Sequence, residues 1–506
     1  MRHELMAIQP VKARDHRAAY PTSWLLCHLA ISLSLCLWQV GSITKVMAAE
    51  TRPEKPNVII INCDDLGYAD VGAFGATICK TPQIDRMARE GVKATSFYVA
   101  QAVCSASRTA LLTGCLPNRI GILGALSHVS KNGIADSEVT LGELFQSQGY
   151  STAMYGKWHL GCQAQFLPGR HGFDEAFGIP YSNDMWSKNP YGKFPPLPLF
   201  RQKGDAPAEI MGHDTDQSRF TTDFTMAAVS FIDRHADNPF FIYLAHPMPH
   251  TPIFVSEERN SGERAQLYRD VIGEIDWSVG TIRQTLEKHQ LTRKTLVIFT
   301  SDNGPWLVFG NHAGSTGPLR EGKGTMWDGG ARVPFVACWP GVIPPDTTVD
   351  LPMATYDLFP TFAKMLGAEL PAHPIDGVEI WPQLTGASKA QPHKALWFYY
   401  GRDLIAVRSG PWKLVFPHTY VHPVERGNDG QRGKLVNQKF NESALYNLDS
   451  DIGETTNLAS QHPEIVQQLE TFAEEARREL GDALTNRKGS GVRPPGTVND
   501  SPSLGN

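Results

Sequence analysis

The sequence predicts an α/β protein: a large mixed, mostly parallel sheet sandwiched by helices, with a smaller C-terminal antiparallel sheet plus helix. Three observations carry this. Short continuous apolar runs, rather than alternating ones, recur between residues 57 and 300 and end in polar residues, as buried parallel strands do. Segments with apolar residues at three-to-four spacing lie between those runs, the period of a helix covering a sheet face. From about Gly386 the texture changes to short strands separated by Gly and Pro turns, which reads as antiparallel pairing.

In order along the chain, Val58-Ile59-Ile60-Ile61-Asn62 leads into Asp64-Asp65. Phe240-Phe241-Ile242-Tyr243-Leu244-Ala245 precedes His246 and His250, and Leu296-Val297-Ile298-Phe299-Thr300 precedes Asp302-Asn303. The helix before the second run is marked by Phe220, Phe224, Ala228, Phe231 and Ile232, and the one before the third by Leu267, Val271, Ile275, Val279, Ile282 and Leu286. Ligands of such sheets sit beyond the carboxyl ends of the strands, so Asp64, Asp65, His250 and Asp302 are expected to gather there. Residues 181–211, rich in Pro, Gly, Lys and Asn without periodicity, read as a long surface insertion at the rim. Strands are expected at 395–400, 405–408 and 412–416, and a helix at 463–480.

The ends read differently from the middle. Arg2, Lys12, Arg14 and Arg17 precede an apolar run over 24–40, and Val46-Met47-Ala48-Ala49 offers small residues for cleavage. This predicts a signal peptide over 1–49 and a secreted or periplasmic protein. An uncleaved anchor is the alternative, because the run nears the ~20 residues of a bilayer span. A lipoprotein reading through Leu33-Ser34-Leu35-Cys36 is weaker, since Leu stands where a small residue is expected before the Cys. The expected domains are a catalytic α/β domain over 50–385 and an antiparallel subdomain over 386–487, followed by a disordered tail over 488–506 of Gly, Pro, Ser and Asn. A net charge of −5 demands neither a nucleic-acid nor a membrane-surface partner. Beyond the signal, Cys63, Cys79, Cys104, Cys115, Cys162 and Cys338 lack metal-finger spacing, which argues against a zinc site or a dense disulfide framework.

Asp64-Asp65 and Asp302-Asn303 offer oxygen donors and no soft ligand, a set that suits a hard cation, Ca²⁺ or Mg²⁺. Cys104-Ser105-Ala106-Ser107-Arg108, continuing to Thr113-Gly114, is the most informative string. Gly156-Lys157-Trp158-His159, Gly178-Ile179-Pro180-Tyr181-Ser182, His250-Thr251-Pro252, Asp302-Asn303-Gly304 and Gly322-Lys323-Gly324 follow it in order. In these strings the chain, from Pro56 to about Ala459, resembles the formylglycine-dependent sulfatases of the alkaline-phosphatase-like superfamily. The local wording is closest to the arylsulfatase A and N-acetylgalactosamine-6-sulfatase group.

The resemblance implies hydrolysis of sulfate esters, with release of an alcohol and inorganic sulfate, through a formylglycine hydrate as nucleophile. Cys104 would be converted to 3-oxoalanine by a formylglycine-generating maturation enzyme; Ala106 stands where Pro is more frequent, leaving open which enzyme acts and how completely. Asp64, Asp65, Asp302, Asn303 and residue 104 would hold one divalent cation, most often Ca²⁺. Arg108 and Lys157 would steady the hydrate, and His159 would act as its base. His250 and Lys323 would contact the ester, His250 as general acid, and Ser182 and Lys157 would line the sulfate pocket. The substrate would be a sulfated small molecule or glycan. A phosphodiesterase or phosphonate monoester hydrolase on the same scaffold is the alternative, and an inactive binding protein a remoter one. His246, His312, Asn183 and His418 are substrate-pocket candidates for which a packing or surface role is the favoured reading.

Overall fold

Every side chain of β1 (Asn57–Cys63) is buried, and successive ones serve opposite layers: Val58 and Ile60 join one hydrophobic cluster, Ile59 and Ile61 another. A strand packed on both faces has no polar side to show, hence its continuous apolar run. The structure, a computed structural model, describes residues 55–499 and Leu504; the expected signal over 1–49 lies outside them.

The remaining strands of the main sheet are β2 (Val92–Ala94), β3 (Ser151–Lys157), β4 (Glu175–Ile179), β5 (Pro198–Lys203), β6 (Glu209–His213), β7 (Phe240–Ala245), β8 (Thr295–Ser301), β9 (Phe335–Cys338) and β10 (Thr347–Val349). They form a 10-stranded sheet ordered β10-β2-β9-β8-β1-β7-β3-β4-β5-β6. The run β8-β1-β7-β3-β4 is parallel throughout, and antiparallel β9 and β5 flank it.

Helices cover both faces. On one lie α1 (Pro82–Arg89), α4 (Phe220–Arg234) and α5 (Leu267–Lys288), burying Met87, Phe224, Phe231, Ile275 and Val279. On the other lie α2 (Cys104–Thr113), α3 (Leu141–Ser147) and α6 (Leu358–Leu366), burying Leu111, Phe145 and Phe362. Phe145 stacks on Phe241 of β7 at 4.2 Å, so truncation to Ala costs about 3–5 kcal/mol in transfer and cavity terms.

Strands β11 (Leu396–Tyr400), β12 (Asp403–Ser409), β13 (Trp412–Val415) and β16 (Ala444–Asn447) form the expected antiparallel sheet, and β14 (His418–Glu425) and β15 (Lys434–Phe440) pair as a separate hairpin. Helix α7 (Pro463–Leu480) buries Leu469, Ala473 and Ala476 against it. That core also takes in Tyr98, Met326 and Trp327 from earlier in the chain.

Two expectations are corrected. The segment 181–211 is not irregular throughout: it contains β5 and the start of β6, which extend the main sheet. Glu209, Met211 and His213 of β6 are exposed, so this edge strand carried no apolar run to recognise. The described part of the tail, 488–499, is ordered. Gly496 and Thr497 pair with Gly133 and Asn132, and Arg493 grips Glu138 at 2.6 and 2.8 Å. Its composition lacks a periodic apolar face, and order comes instead from backbone pairing and one forked ion pair. Among the described residues no helix is long and apolar enough to cross a membrane.

Candidate active site

Asp64-Asp65 follow β1 directly, Asp302-Asn303 follow β8, Lys157 closes β3, and His250 lies a short loop beyond β7. Because these strands are parallel neighbours, all these groups emerge at one edge of the sheet. Gly156 makes the placement of Lys157 possible: its φ is +108°, and a Cβ there would lie 1.9 Å from the Ala245 carbonyl oxygen. Cys104 opens α2, whose residues are all buried, so the position is set rigidly from beneath.

The Cys104 thiol donates to Asp64 Oδ1 at 3.5 Å, and Lys323 Nζ donates to Cys104 Sγ at 3.5 Å. Lys323 Nζ also meets Asp65 Oδ1 and Oδ2 at 2.8 and 2.9 Å. Lys157 Nζ donates to Asp64 Oδ2 at 2.5 Å and to Ser182 Oγ at 3.1 Å. Asn303 Nδ2 donates to Asp65 Oδ1 at 2.6 Å, while the Asp65 amide donates to Asp302 Oδ1 at 3.1 Å. His250 Nε2 stands 3.6 Å from Asp65 Oδ2. Arg108 is held among the carboxylates: Nε donates to Asp302 Oδ2 at 2.9 Å, Nη1 donates to the Lys157 carbonyl at 2.9 Å, and Nη2 lies 3.6 Å from Asp64 Oδ2. His159 Nε2 lies 2.7 Å from the Leu126 carbonyl, which can only accept, so this nitrogen carries the proton and leaves Nδ1 a free base. Asp65 and His159 both hold left-handed backbone, φ +62° and +64°, a strain that clusters at functional sites.

Burial dominates the electrostatics. It pushes Asp65 up to about 7 and Asp302 up to about 6, with Asp64 adding to both and Lys323 or Arg108 opposing. For Asp64 burial is outweighed, by Lys157 first, and its carboxyl is held well below the ordinary range. Burial and then Asp64 raise the Cys104 thiol to about 12, so it is protonated at neutral pH and a poor nucleophile as it stands. Burial, reinforced by Lys157 at His159 and Lys323 at His250, drives both imidazoles well below their usual value and keeps them neutral.

A hard cation fits these residues. Three buried carboxylates crowd together, and the buried Asn303 Oδ1 has no hydrogen-bond donor among the described residues. Asp64, Asp65, Cys104 and His250 also present ligand atoms all within 4.8 Å of one another. The structure thus brings together the residues expected to form the site, Arg108 included through Asp64 and Asp302. His246, His312, Asn183 and His418 instead bond to Ser278, the Arg264 carbonyl, Gln217 and the Phe416 carbonyl as packing residues. Sequence reasoning missed part of the wall of the roughly 240 Å³ cavity over Cys104: Trp306, Tyr400 and Val421. Trp306, its ring 4.7 Å from Lys323 Nζ and 5.5 Å from the His250 ring, was discoverable by its place two residues after Asp302-Asn303-Gly304. Tyr400 and Val421 come from the C-terminal strands and carried no local signal.

Residues 56–368 match the family model described as Sulfatase, and residues 391–495 that of the C-terminal region of aryl-sulfatase. The chain belongs to the sulfatase family. It is 36% identical to arylsulfatase A of Bos taurus over 454 residues, covering 85% of this chain and 88% of that protein. It is 36% identical to N-acetylgalactosamine-6-sulfatase of Canis lupus familiaris over 391 residues, covering 73% of each. The solved PsFucS1 sulfatase from Pseudoalteromonas sp. superposes with a TM-score of 0.75 at 26% identity, covering 86% of this chain and 92% of that one. This sulfatase is therefore a sulfuric ester hydrolase, and the phosphodiesterase and phosphonate alternatives are not favoured.

Proposed function

We propose that this sulfatase acts through a formylglycine made from Cys104 and one divalent cation, most simply Ca²⁺, held by Asp64, Asp65, Asp302, Asn303 and residue 104. The observation that carries the reading is the convergence on Cys104 Sγ, with Asp64 Oδ1 and Lys323 Nζ each 3.5 Å away in a buried site. Hydrated formylglycine supplies two hydroxyls on one carbon, one to take the sulfuryl group and a second whose collapse expels sulfate. The cation, when bound, draws charge from the sulfate oxygens.

The chain's own residues divide the remaining work. Lys157, fully buried, and Lys323, partly buried, both with a raised hold on their protons, offset the charge of the sulfate, with Ser182 beside Lys157. His159 Nδ1 accepts the nucleophile's proton. His250 hands a proton to the departing alcohol oxygen once an anionic sulfate offsets the burial and the Lys323 charge that together keep the imidazole neutral. Arg108 locks Asp302 and the Lys157 backbone in register.

A second reading has Cys104 remain a thiol and bind a softer metal with Asp64, Asp65 and His250. Mass spectrometry of the peptide containing residue 104, with metal analysis of the same active sample, decides between them. An aldehyde with calcium or magnesium is expected; an unmodified thiol with zinc overturns the proposal. Export as a secreted or periplasmic enzyme is supported by the basic, apolar and small-residue order over 1–49, and the mature protein is expected to start near residue 50.

A further inference from the structure

Lys323 reaches Cys104 and Asp65 from a loop that is closed on itself. The Gly329 amide donates to the Arg320 carbonyl at 2.8 Å, and the Thr325 amide and hydroxyl both donate to the Gly322 carbonyl, at 3.2 and 2.9 Å. The loop has no slack inside it. A Cβ at Gly329 would lie 2.1 Å from the Glu321 carbonyl oxygen, and one at Gly330 would lie 2.2 Å from that of Thr325. A loop packed this tightly moves as one body, so whatever holds its ends sets where the Lys323 ammonium lies.

On its inner side the loop is held by two backbone bonds, from the Lys323 amide to the Pro305 carbonyl and from the Gly324 amide to the Ala102 carbonyl, 3.0 Å each. On the far side a single residue takes both ends. Glu454, in the chain beyond β16, accepts Arg320 Nη1 on its backbone carbonyl at 2.9 Å and the Asp328 amide on Oε2 at 2.8 Å, across separations of 134 and 126 residues. Its other oxygen, Oε1, meets the Lys413 ammonium, which also pairs with Asp328 Oδ1, each at 2.8 Å. The Arg320 guanidinium lies 3.5 Å over the Trp327 ring, which keeps this tether flat along the loop.

Glu454 is fully buried and holds left-handed backbone at φ +53°, a conformation a glutamate adopts only where its surroundings impose it. The turn aims the carbonyl and the carboxylate of one residue at the two ends of one loop. Resting on the role of Lys323 proposed above, we infer that Glu454 is a positioning residue for the reaction. From the C-terminal subdomain it fixes the loop that carries Lys323, and so the place of the ammonium beside residue 104. That subdomain thus sets part of the geometry of the active site as well as packing against it.

The test is a double-mutant cycle on formylglycine-bearing enzyme with 4-methylumbelliferyl sulfate, each variant assayed at a temperature where its unfolding curve shows it folded. Glu454→Ala should lower kcat/KM by about 10- to 100-fold, the scale of a misplacement near 1 Å. Glu454→Gln, which keeps an oxygen for the Asp328 amide, should recover at least half of that loss on a logarithmic scale. In the Lys323→Met background, where no ammonium is left to place, Glu454→Ala should cost less than threefold further. Arg320→Met releases the other end of the loop without removing a buried carboxylate, and should show the same dependence on Lys323 even where Glu454→Ala fails to fold. Equal factors in both backgrounds, or wild-type kcat/KM in folded Glu454→Ala or Arg320→Met, would overturn the positioning role while an impaired Lys323→Met upholds the reading of the site. A Lys323→Met enzyme within tenfold of wild type would overturn both.

Discussion

Lys323 Nζ donates to Cys104 Sγ across 3.5 Å from a loop 219 residues further along the chain, and the same ammonium bridges both oxygens of Asp65. One cation thus joins the proposed nucleophile position to a proposed metal ligand. Lys323→Met should lower kcat/KM for an aryl sulfate by about 10²–10³-fold, the usual loss on removing a preorganised donor in a dry site. Steady-state kinetics on folded variant checks this, and a loss below tenfold would remove Lys323 from the machinery.

Activity should track the oxidation state of residue 104. Across preparations made with and without the maturation enzyme, specific activity should rise in proportion to the aldehyde fraction measured by peptide mass spectrometry. Cys104→Ala should be inactive with unchanged circular dichroism. Full activity in thiol-only protein would refute the covalent scheme.

Chelation should abolish turnover without unfolding the chain, since Arg108, Lys157 and Lys323 still face the carboxylates. Ca²⁺ or Mg²⁺ should restore it. Asn303→Ala, which removes the unmatched Oδ1, should raise the cation concentration for half-maximal activity by about 10- to 100-fold. An unchanged requirement would take Asn303 out of the ligand set.

Away from the site, Lys413 is fully buried between Asp328 Oδ1 and Glu454 Oε1, 2.8 Å from each. It also donates to the Met326 carbonyl at 2.9 Å, tying the C-terminal sheet to the chain just past Lys323. Lys413→Met leaves the buried Glu454 without its cation and Asp328 with Arg332 alone at 3.4 Å, and should cost about 3–5 kcal/mol in denaturant unfolding. A cost under 1 kcal/mol would show that the cluster is immaterial to the fold.

The same cluster sets a pH window. Burial would raise the Asp328 carboxyl, but Lys413, then Arg332 and Arg408, outweigh it and hold the group down to about 2, against an ordinary 3.8. A depressed folded-state value means the stabilisation is complete above pH 3.8 and is lost as pH falls toward 2. Unfolding midpoints measured from pH 5 down to 2 should fall more steeply in wild type than in Asp328→Asn. Parallel slopes would contradict this.

What the sequence by itself determined is everything carried by short spacing. The unbroken apolar runs before Asp64-Asp65 and Asp302-Asn303 marked buried parallel strands, and the period of Phe220 to Ile232 and of Leu267 to Leu286 marked the helices over them. Parallel neighbours must release their ends at one edge, so the gathering of Asp64, Asp65, His250 and Asp302 followed from local pattern and topology. Tertiary structure alone decided the rest. The exposed edge strand β6, the tail pinned by Arg493 to Glu138, Arg108's commitment to Asp302, and the meeting of Arg320 and Asp328 at Glu454 have no local signature. Each is a contact between residues far apart in the chain, created by which faces pack together, and neither side chain's neighbours in sequence encode the distance to its partner.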